Sequence, residues 1–309
     1  MADNPARWRP DREVEIIAST PPGGGTDRCA RALLQAIEAN RLLDVPARVV
    51  NVAGDGGRKA WRHIAGRSGD ARVIGINTPN NETDVLTGIV TRDEIRSVPV
   101  AILYTEYMAF IARSDSPIAD GPGLLERLAA GPMDVTVSLS TSLGNPNHIA
   151  LAKVFRHAGI PVTAPAVRVF DSARDVVADV GGGNADVGVI TAASAVPELE
   201  AGQVRAIAVS SPARLTRAYA RTPTWREQGV DCVIGSWRGV AAAGDITADH
   251  IAFWQEILSR AVATQEWKAE LDRHFWTGMY LDGPALAGHL RREHDEMTEL
   301  LGELGLLAA

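Results

Sequence analysis

Short apolar runs alternate with amphipathic stretches along most of the chain, the pattern of an α/β protein. Val14–Ala18 reads as a strand and leads into a glycine-rich loop. Asp27–Ala39 then repeats apolar residues at helical spacing, with Ala30, Leu33, Leu34 and Ile37 on one face. Arg48–Val52, Val73–Asn77, Val100–Leu103 and Phe110–Ala112 continue as strands, with a short helix at Lys59–Gly66. The breaker-rich stretches Ser114–Pro117 and Gly121–Gly123 mark a crossover into a second unit. That unit reads as helix Leu124–Ala130, strand Val135–Leu139, helix Asn147–Ala158, strand Val167–Phe170, helix Ser172–Val180, strand Val187–Thr191, helix Ala195–Ala201 and strand Ala206–Ser210. Val233–Ala242 is extended, and helices at Ala248–Ala263, Gln265–His274 and Pro284–Leu304 close the chain.

A length of 309 residues fits two domains. With 46% hydrophobic and 22% charged residues, the chain can bury two cores, which excludes disorder as its main state. The net charge of −7 argues against nucleic acid as a partner. It does not exclude small anions, which backbone amides bind without lysine or arginine. The longest charge-free run, Val135–Ala152, carries Ser138, Ser140, Asn145, Asn147 and His148, so direct membrane insertion is not expected. Met1–Arg12 is polar and has no apolar core of a signal peptide. This leaves a cytoplasmic protein or one whose signal was removed. Cys29 and Cys232 read as two buried thiols, with a disulfide as the alternative.

Pro21-Pro22-Gly23-Gly24-Gly25-Thr26-Asp27 lies between a strand and a helix. Glycines there let several amides point into one concavity, and the following helix adds its unpaired N–H groups and partial positive charge. The alternative reading is a plain βα turn. The run is not a nucleotide loop: Thr26-Asp27 replaces the Lys-Ser/Thr of the Walker pattern, and Arg28 stands where a dinucleotide loop needs glycine. Gly54-Asp55-Gly56-Gly57 fails the same test at Lys59. In Leu143-Gly144-Asn145-Pro146-Asn147-His148, Asn145 is a good N-cap and Pro146 suits the first helical position. Ser140, Thr141 and Ser142 supply hydroxyls just before it. Two polar loops ending at helix starts, one per unit, point to a negatively charged ligand. Thr78, Phe170-Asp171-Ser172 and Thr191-Ala192 also follow strand ends, where open α/β sheets place ligands. No nucleophile elbow, zinc pattern or metal site is expected, and no cofactor. His289 and His294 are five apart, about 140° round a helix, and read as a solvated face. Most of the seven tryptophans read as core.

Taken together these residues resemble the substrate-binding proteins of tripartite tricarboxylate transporters, the Bug family. Pro22-Gly23-Gly24-x-x-Asp27 resembles the family's first loop, and Asn51-x-x-Gly54-x-Gly56-Gly57 its second. Ser140 through His148 resembles the glycine/serine loop ending in His. Gly182-Gly183-Asn184-x-Asp186, Ala201 through Ala208, Arg221-Thr222-Pro223-Thr224 and Ser236-Trp237-x-Gly239 match further stretches in order. The resemblance implies a two-lobed, periplasmic-binding-protein-like (type II) α/β fold with a hinge and a ligand cleft, lobe 1 being residues 1–113 and 226–309 and lobe 2 residues 114–225. It implies capture of a small carboxylate or dicarboxylate, delivery to membrane permease subunits, a periplasmic location, a monomer and no enzymatic activity. Carried over position by position, lobe 1 would contribute Pro22, Gly23, Gly24, Thr26, Asp27 and Thr78. Lobe 2 would contribute Ser140, Gly144, Asn145 and His148, with Phe170 and Thr191 lining the cleft and Trp237 closing it. The chain departs from the family at Phe170-Asp171-Ser172, where Tyr-Lys-Gly is usual. Asn145 stands for serine, Ser142 for a loop glycine, Ala53 for proline, and Arg238 for an apolar or aromatic residue.

Two other functions fit the same residues. A cytoplasmic carboxylate sensor of this fold would need no signal peptide. An enzyme could use His148 as a base with Asp27 as its electrostatic partner, although no catalytic motif supports it. A scaffold role fits least, because polar glycine loops make poor protein interfaces.

Overall fold

A computed structural model describes residues 8–163 and 166–308. The reading of the first residues of the Met1–Arg12 segment lies outside the described residues. The elements, in chain order, are β1 Val14–Ala18, α1 Gly25–Ala39, β2 Ala47–Asn51, α2 Arg58–Ala65, β3 Val73–Asn77, α3 Asn80–Leu86 and β4 Ser97–Arg113. Then come α4 Gly121–Ala130, β5 Thr136–Ser140, α5 Pro146–His157, β6 Ala166–Phe170, α6 Ala173–Gly181, β7 Val187–Thr191, α7 Val196–Glu200 and β8 Val204–Val209. The chain closes with β9 Gly235–Ala243, α8 Ala248–Ala263, α9 Gln265–Arg273, β10 Thr277–Asp282 and α10 Gly283–Glu303.

The chain forms two compact units. The first runs to Asn81 and adds Val90–Thr105 and Trp237–Arg292; the second comprises Glu82–Ile89, Glu106–Ser236 and the segment from Glu293 onward. The crossings therefore fall at 105/106 and 236/237, where the lobe bounds implied by the resemblance are 113/114 and 225/226. Two short excursions, 82–89 and the C-terminal segment from 293, also join the second unit. The shift has a physical reason. Val100–Leu103 and Phe110–Ala112 read as two strands because Thr105 and Glu106 interrupt the apolar pattern. Both polar residues are buried, and β4 runs unbroken for 17 residues.

In the first unit β2, β1 and β3 run parallel, and β9 joins β3 antiparallel. The first half of β4 follows β9, with β10 antiparallel on its other side. The sequence pattern misses β10, because its side chains are all half-buried or exposed and carry no clear alternation. Helix α1 buries Cys29, Ala30, Leu33, Ala36 and Ile37 on one stripe. That stripe packs with Ile16, Ile74, Leu103, Trp254 and Leu258. Trp254 also donates its indole N–H to Ala71 O at 2.8 Å. Tyr104 stacks on Trp276 with ring centroids 4.1 Å apart.

In the second unit β6, β5 and β7 run parallel, and the second half of β4 pairs antiparallel with β7 and β8. Phe110, Leu124, Val137, Leu139, Leu151, Phe155, Val189 and Trp225 form its core. Both cysteines are free and buried, one in each unit. Burial pushes the Cys232 thiol up to about 12.

The glycine of the Ser236-Trp237-x-Gly239 stretch has a packing cause. A Cβ at Gly239 would sit 2.4 Å from Ala101 O and 3.2 Å from Ile102 Cα, both backbone atoms of β4. Neighbouring backbone cannot swing aside as a side chain can. Gly239→Ala should therefore lower stability by about 1–3 kcal/mol, seen as a reduced urea midpoint at unchanged slope. An unaltered midpoint would contradict the close approach of β9 to β4.

Candidate functional site

Each unit gathers its polar loops along one end of its parallel strands. In the first unit the register Ile17↔Gly75 sets the loop after β1 beside Asn77-Thr78 after β3. The pair Asn77↔Gly239 brings the start of β9, with Trp237 and Arg238, to that same end. In the second unit Ser140↔Phe170 and Leu139↔Val189 align the loops after β5, β6 and β7. This is the end at which open α/β sheets place their ligands.

The first loop is built on Asp27. Its carboxylate is 1% exposed and accepts hydrogen bonds from Gly23 N–H at 2.8 Å, Arg31 Nε at 3.0 Å and Asn51 Nδ2 at 2.8 Å. Burial alone would raise its pKa, but these bonds outweigh burial and hold the carboxyl below its ordinary value. Thr26 Oγ1 accepts from Thr20 N–H at 3.0 Å, and Thr20 Oγ1 accepts from Asp27 N–H at 3.2 Å. Gly24 is required by proximity, since a Cβ there would lie 2.5 Å from Thr20 Cβ. Asp27 and Thr26 therefore have their side chains turned inward as fasteners of the loop. Pro22 and Gly23 lie exposed at its tip. Among the described residues no acceptor meets the N–H groups of Gly25 and Thr26, the first two of α1.

Thr78 lies two residues before α3, its hydroxyl accepting from Asn80 N–H at 3.3 Å and its own N–H donating to Asn77 Oδ1 at 2.9 Å. Trp237 is 5% exposed and packs with Ile102 and Leu286. Arg238 is 9% exposed, and its Nη2 lies 3.7 Å from where a Cβ on Gly25 would be. In sequence Arg238 stands out only as a departure from the family, and Asn51 only as part of the second glycine loop. For Asn51 the signal is its place at the end of β2; Arg238 lies inside β9 and carries no such signal.

In the second unit Ser140 Oγ accepts from Asn147 Nδ2 at 3.0 Å. Asn145 caps α5, its Oδ1 accepting from His148 N–H at 3.1 Å. His148 Nδ1 accepts from Gly144 N–H at 3.0 Å, so Nε2 carries the ring proton. Gly144 has φ +81°, and a Cβ there would lie 2.9 Å from Leu301 Cδ2. Among the described residues no acceptor meets the N–H groups of Leu143 and Asn145. Phe170 is half-buried, with the Arg168 guanidinium 5.6 Å from its ring centre. Thr191 Oγ1 contacts Ser194 Oγ at 2.9 Å. So Ser140, Gly144, Asn145 and His148 form one bonded cluster, and Phe170 and Thr191 stand at the neighbouring strand ends.

His289 and His294 do not form a solvated face. Both are half-buried, and His294 Nδ1 lies 2.7 Å from Glu82 Oε1. Helix α10 packs its Leu286, Met297, Leu300 and Leu301 inward, which carries the histidines' side of the helix partly under cover. Asp27 and His148 belong to different units, and Asp27 is committed to its loop. Among the described residues no group of His, Cys, Asp or Glu could hold a metal ion, and no helix is long and apolar enough to cross a membrane.

No family model matches the chain. BugT of Bordetella pertussis strain Tohama I is 24% identical over 240 residues, covering 75% of this chain and 71% of that protein. The crystal structure of a TctC solute-binding protein from Polaromonas is 24% identical with a TM-score of 0.72, over 95% of this chain and 99% of that one. An R. palustris protein solved with adipate is 19% identical with a TM-score of 0.82, over 96% and 98%.

Burial pushes the His148 pKa from 6.5 down to about 4. Between those values the unfolded chain binds a proton that the folded protein does not, so stability is complete above about pH 6.5 and falls as pH drops toward 4. The loss should reach up to about 3 kcal/mol. His148→Gln should flatten that part of the stability curve; urea titrations between pH 7 and 4 check it. An equally steep fall in the variant would place the titration elsewhere.

Proposed function

From a chain that groups with the Bug/TctC solute-binding proteins by likeness to BugT and by fold, we propose capture of a small organic acid, with a dicarboxylate the favoured class, for delivery to permease subunits of a tripartite tricarboxylate-type transporter. The observation that carries this reading is the pair of helix starts, α1 and α5, each presenting backbone N–H groups that meet no acceptor among the described residues. Such groups, with the helix dipole behind them, favour a carboxylate. The adipate bound by the R. palustris protein is of that class.

Residues assigned to the solute in this reading are Pro22, Gly23, Gly24, Thr26, Asp27 and Thr78 from the first unit, and Ser140, Gly144, Asn145, His148, Phe170 and Thr191 from the second, with Trp237 beside them. Their roles differ. Asp27, Asn145 and the Thr26 side chain hold the loops and Trp237 packs against Ile102 and Leu286, whereas backbone N–H groups and the hydroxyls of Thr78 and Thr191 meet the solute. Arg238 adds a positive group next to α1. The protein works in the periplasm as a monomer, and the solute leaves chemically unchanged.

The test is thermal unfolding with mono-, di- and tricarboxylates, aromatic acids and amino acids, each in large excess. A ligand at about 100 times its Kd should stabilise the protein by roughly 2.7 kcal/mol. Dicarboxylates of four to six carbons, adipate included, should give the largest shift. Stabilisation by neutral solutes or amino acids only would refute the assignment. Mass spectrometry of the recovered acid should show it intact; conversion would favour an enzyme.

A further inference from the structure

Thr141 has φ +75°, a region a β-branched residue enters only under strain. Across it Ser142 N–H donates to Ser140 O at 3.1 Å, so Thr141 is the centre of a γ-turn of the rarer, strained hand. Its own N–H donates to Phe170 O at 2.7 Å, which extends the β5–β6 ladder by one step. The remaining fastener is Asn145. Its Nδ2 donates to Ser140 O at 2.6 Å and to Thr141 Oγ1 at 3.1 Å, while its Oδ1 caps α5. One buried carboxamide, 2% exposed, thus spends its acceptor on the helix and both hydrogens on the turn. A serine, which the family resemblance puts at this position, can cap a helix but has a single hydrogen to donate.

We propose that Asn145 is a positioning residue that holds the strained Thr141 turn closed before any solute arrives, so that the N–H groups of Leu143 and Asn145 are already placed for a carboxylate. This rests on the function proposed above. The ordering cost of the loop is then met during folding rather than on binding, which raises affinity without a new contact to the solute. Asn145 acts through Thr141, and that dependence separates positioning from a purely structural cap.

The experiment is a double-mutant cycle of Asn145→Ser and Thr141→Gly in the full chain. Serine keeps a cap on α5, and glycine removes the strain of a positive φ. Two quantities are read: amide hydrogen exchange of the 141–145 segment without ligand, and adipate affinity by calorimetry. Alone, Asn145→Ser should speed exchange and weaken adipate by about tenfold each. In the Thr141→Gly background the same change should alter either quantity by no more than about twofold. Equal losses in both backgrounds would mean that Asn145 acts through the helix cap alone and would overturn the proposal. So would exchange and affinity that match the unaltered protein. If the unaltered protein gives no heat with adipate, that bears on the proposed solute, and the exchange cycle decides the role of Asn145.

Discussion

A helix that begins at the end of a parallel strand leaves backbone N–H groups unpaired, and the loop before it must be held still if those groups are to be useful. In this protein that holding falls to side chains that never need to touch a solute. Asp27 ties the tip of its loop, the next turn of α1 and the end of β2 to one carboxylate. Asn145 does the equivalent for the loop before α5 with one carboxamide. The residue types differ because the loops differ: the first offers donors to an acceptor, whereas the second offers acceptors to a donor.

Most of the architecture was legible in the hydrophobic pattern. The parallel strands and α1, α5, α6, α8 and α9 lie where the spacing of apolar residues puts them. The polar middle of β4 was not legible, because a buried Thr105 and Glu106 look like a loop in sequence. Nor was β10, which borrows its order from β4 and has little apolar pattern of its own. The partial cover over His289 and His294 was not legible either, because angular spacing says which way a side chain points but not what another segment lays over it.

The loops themselves were legible from their glycines, hydroxyls and a cap. What the sequence could not apportion was which side chain faces inward. A short polar residue near a helix start can cap, fasten or bind, and only the partner atoms separate those roles. Asp27 and Asn145 are fasteners by that measure, and Trp237 is packed among aliphatic side chains. Arg238 became conspicuous only through its distance to Gly25, a neighbour separated from it by most of the chain.

The tautomer of His148 reaches further than the local geometry. A ring fixed by Gly144 N–H and kept uncharged by burial can offer a hydrogen bond without exchanging protons with the medium. The ring thus has a fixed polarity: Nδ1 is closed to any further donor, and whatever approaches Nε2 must come as an acceptor.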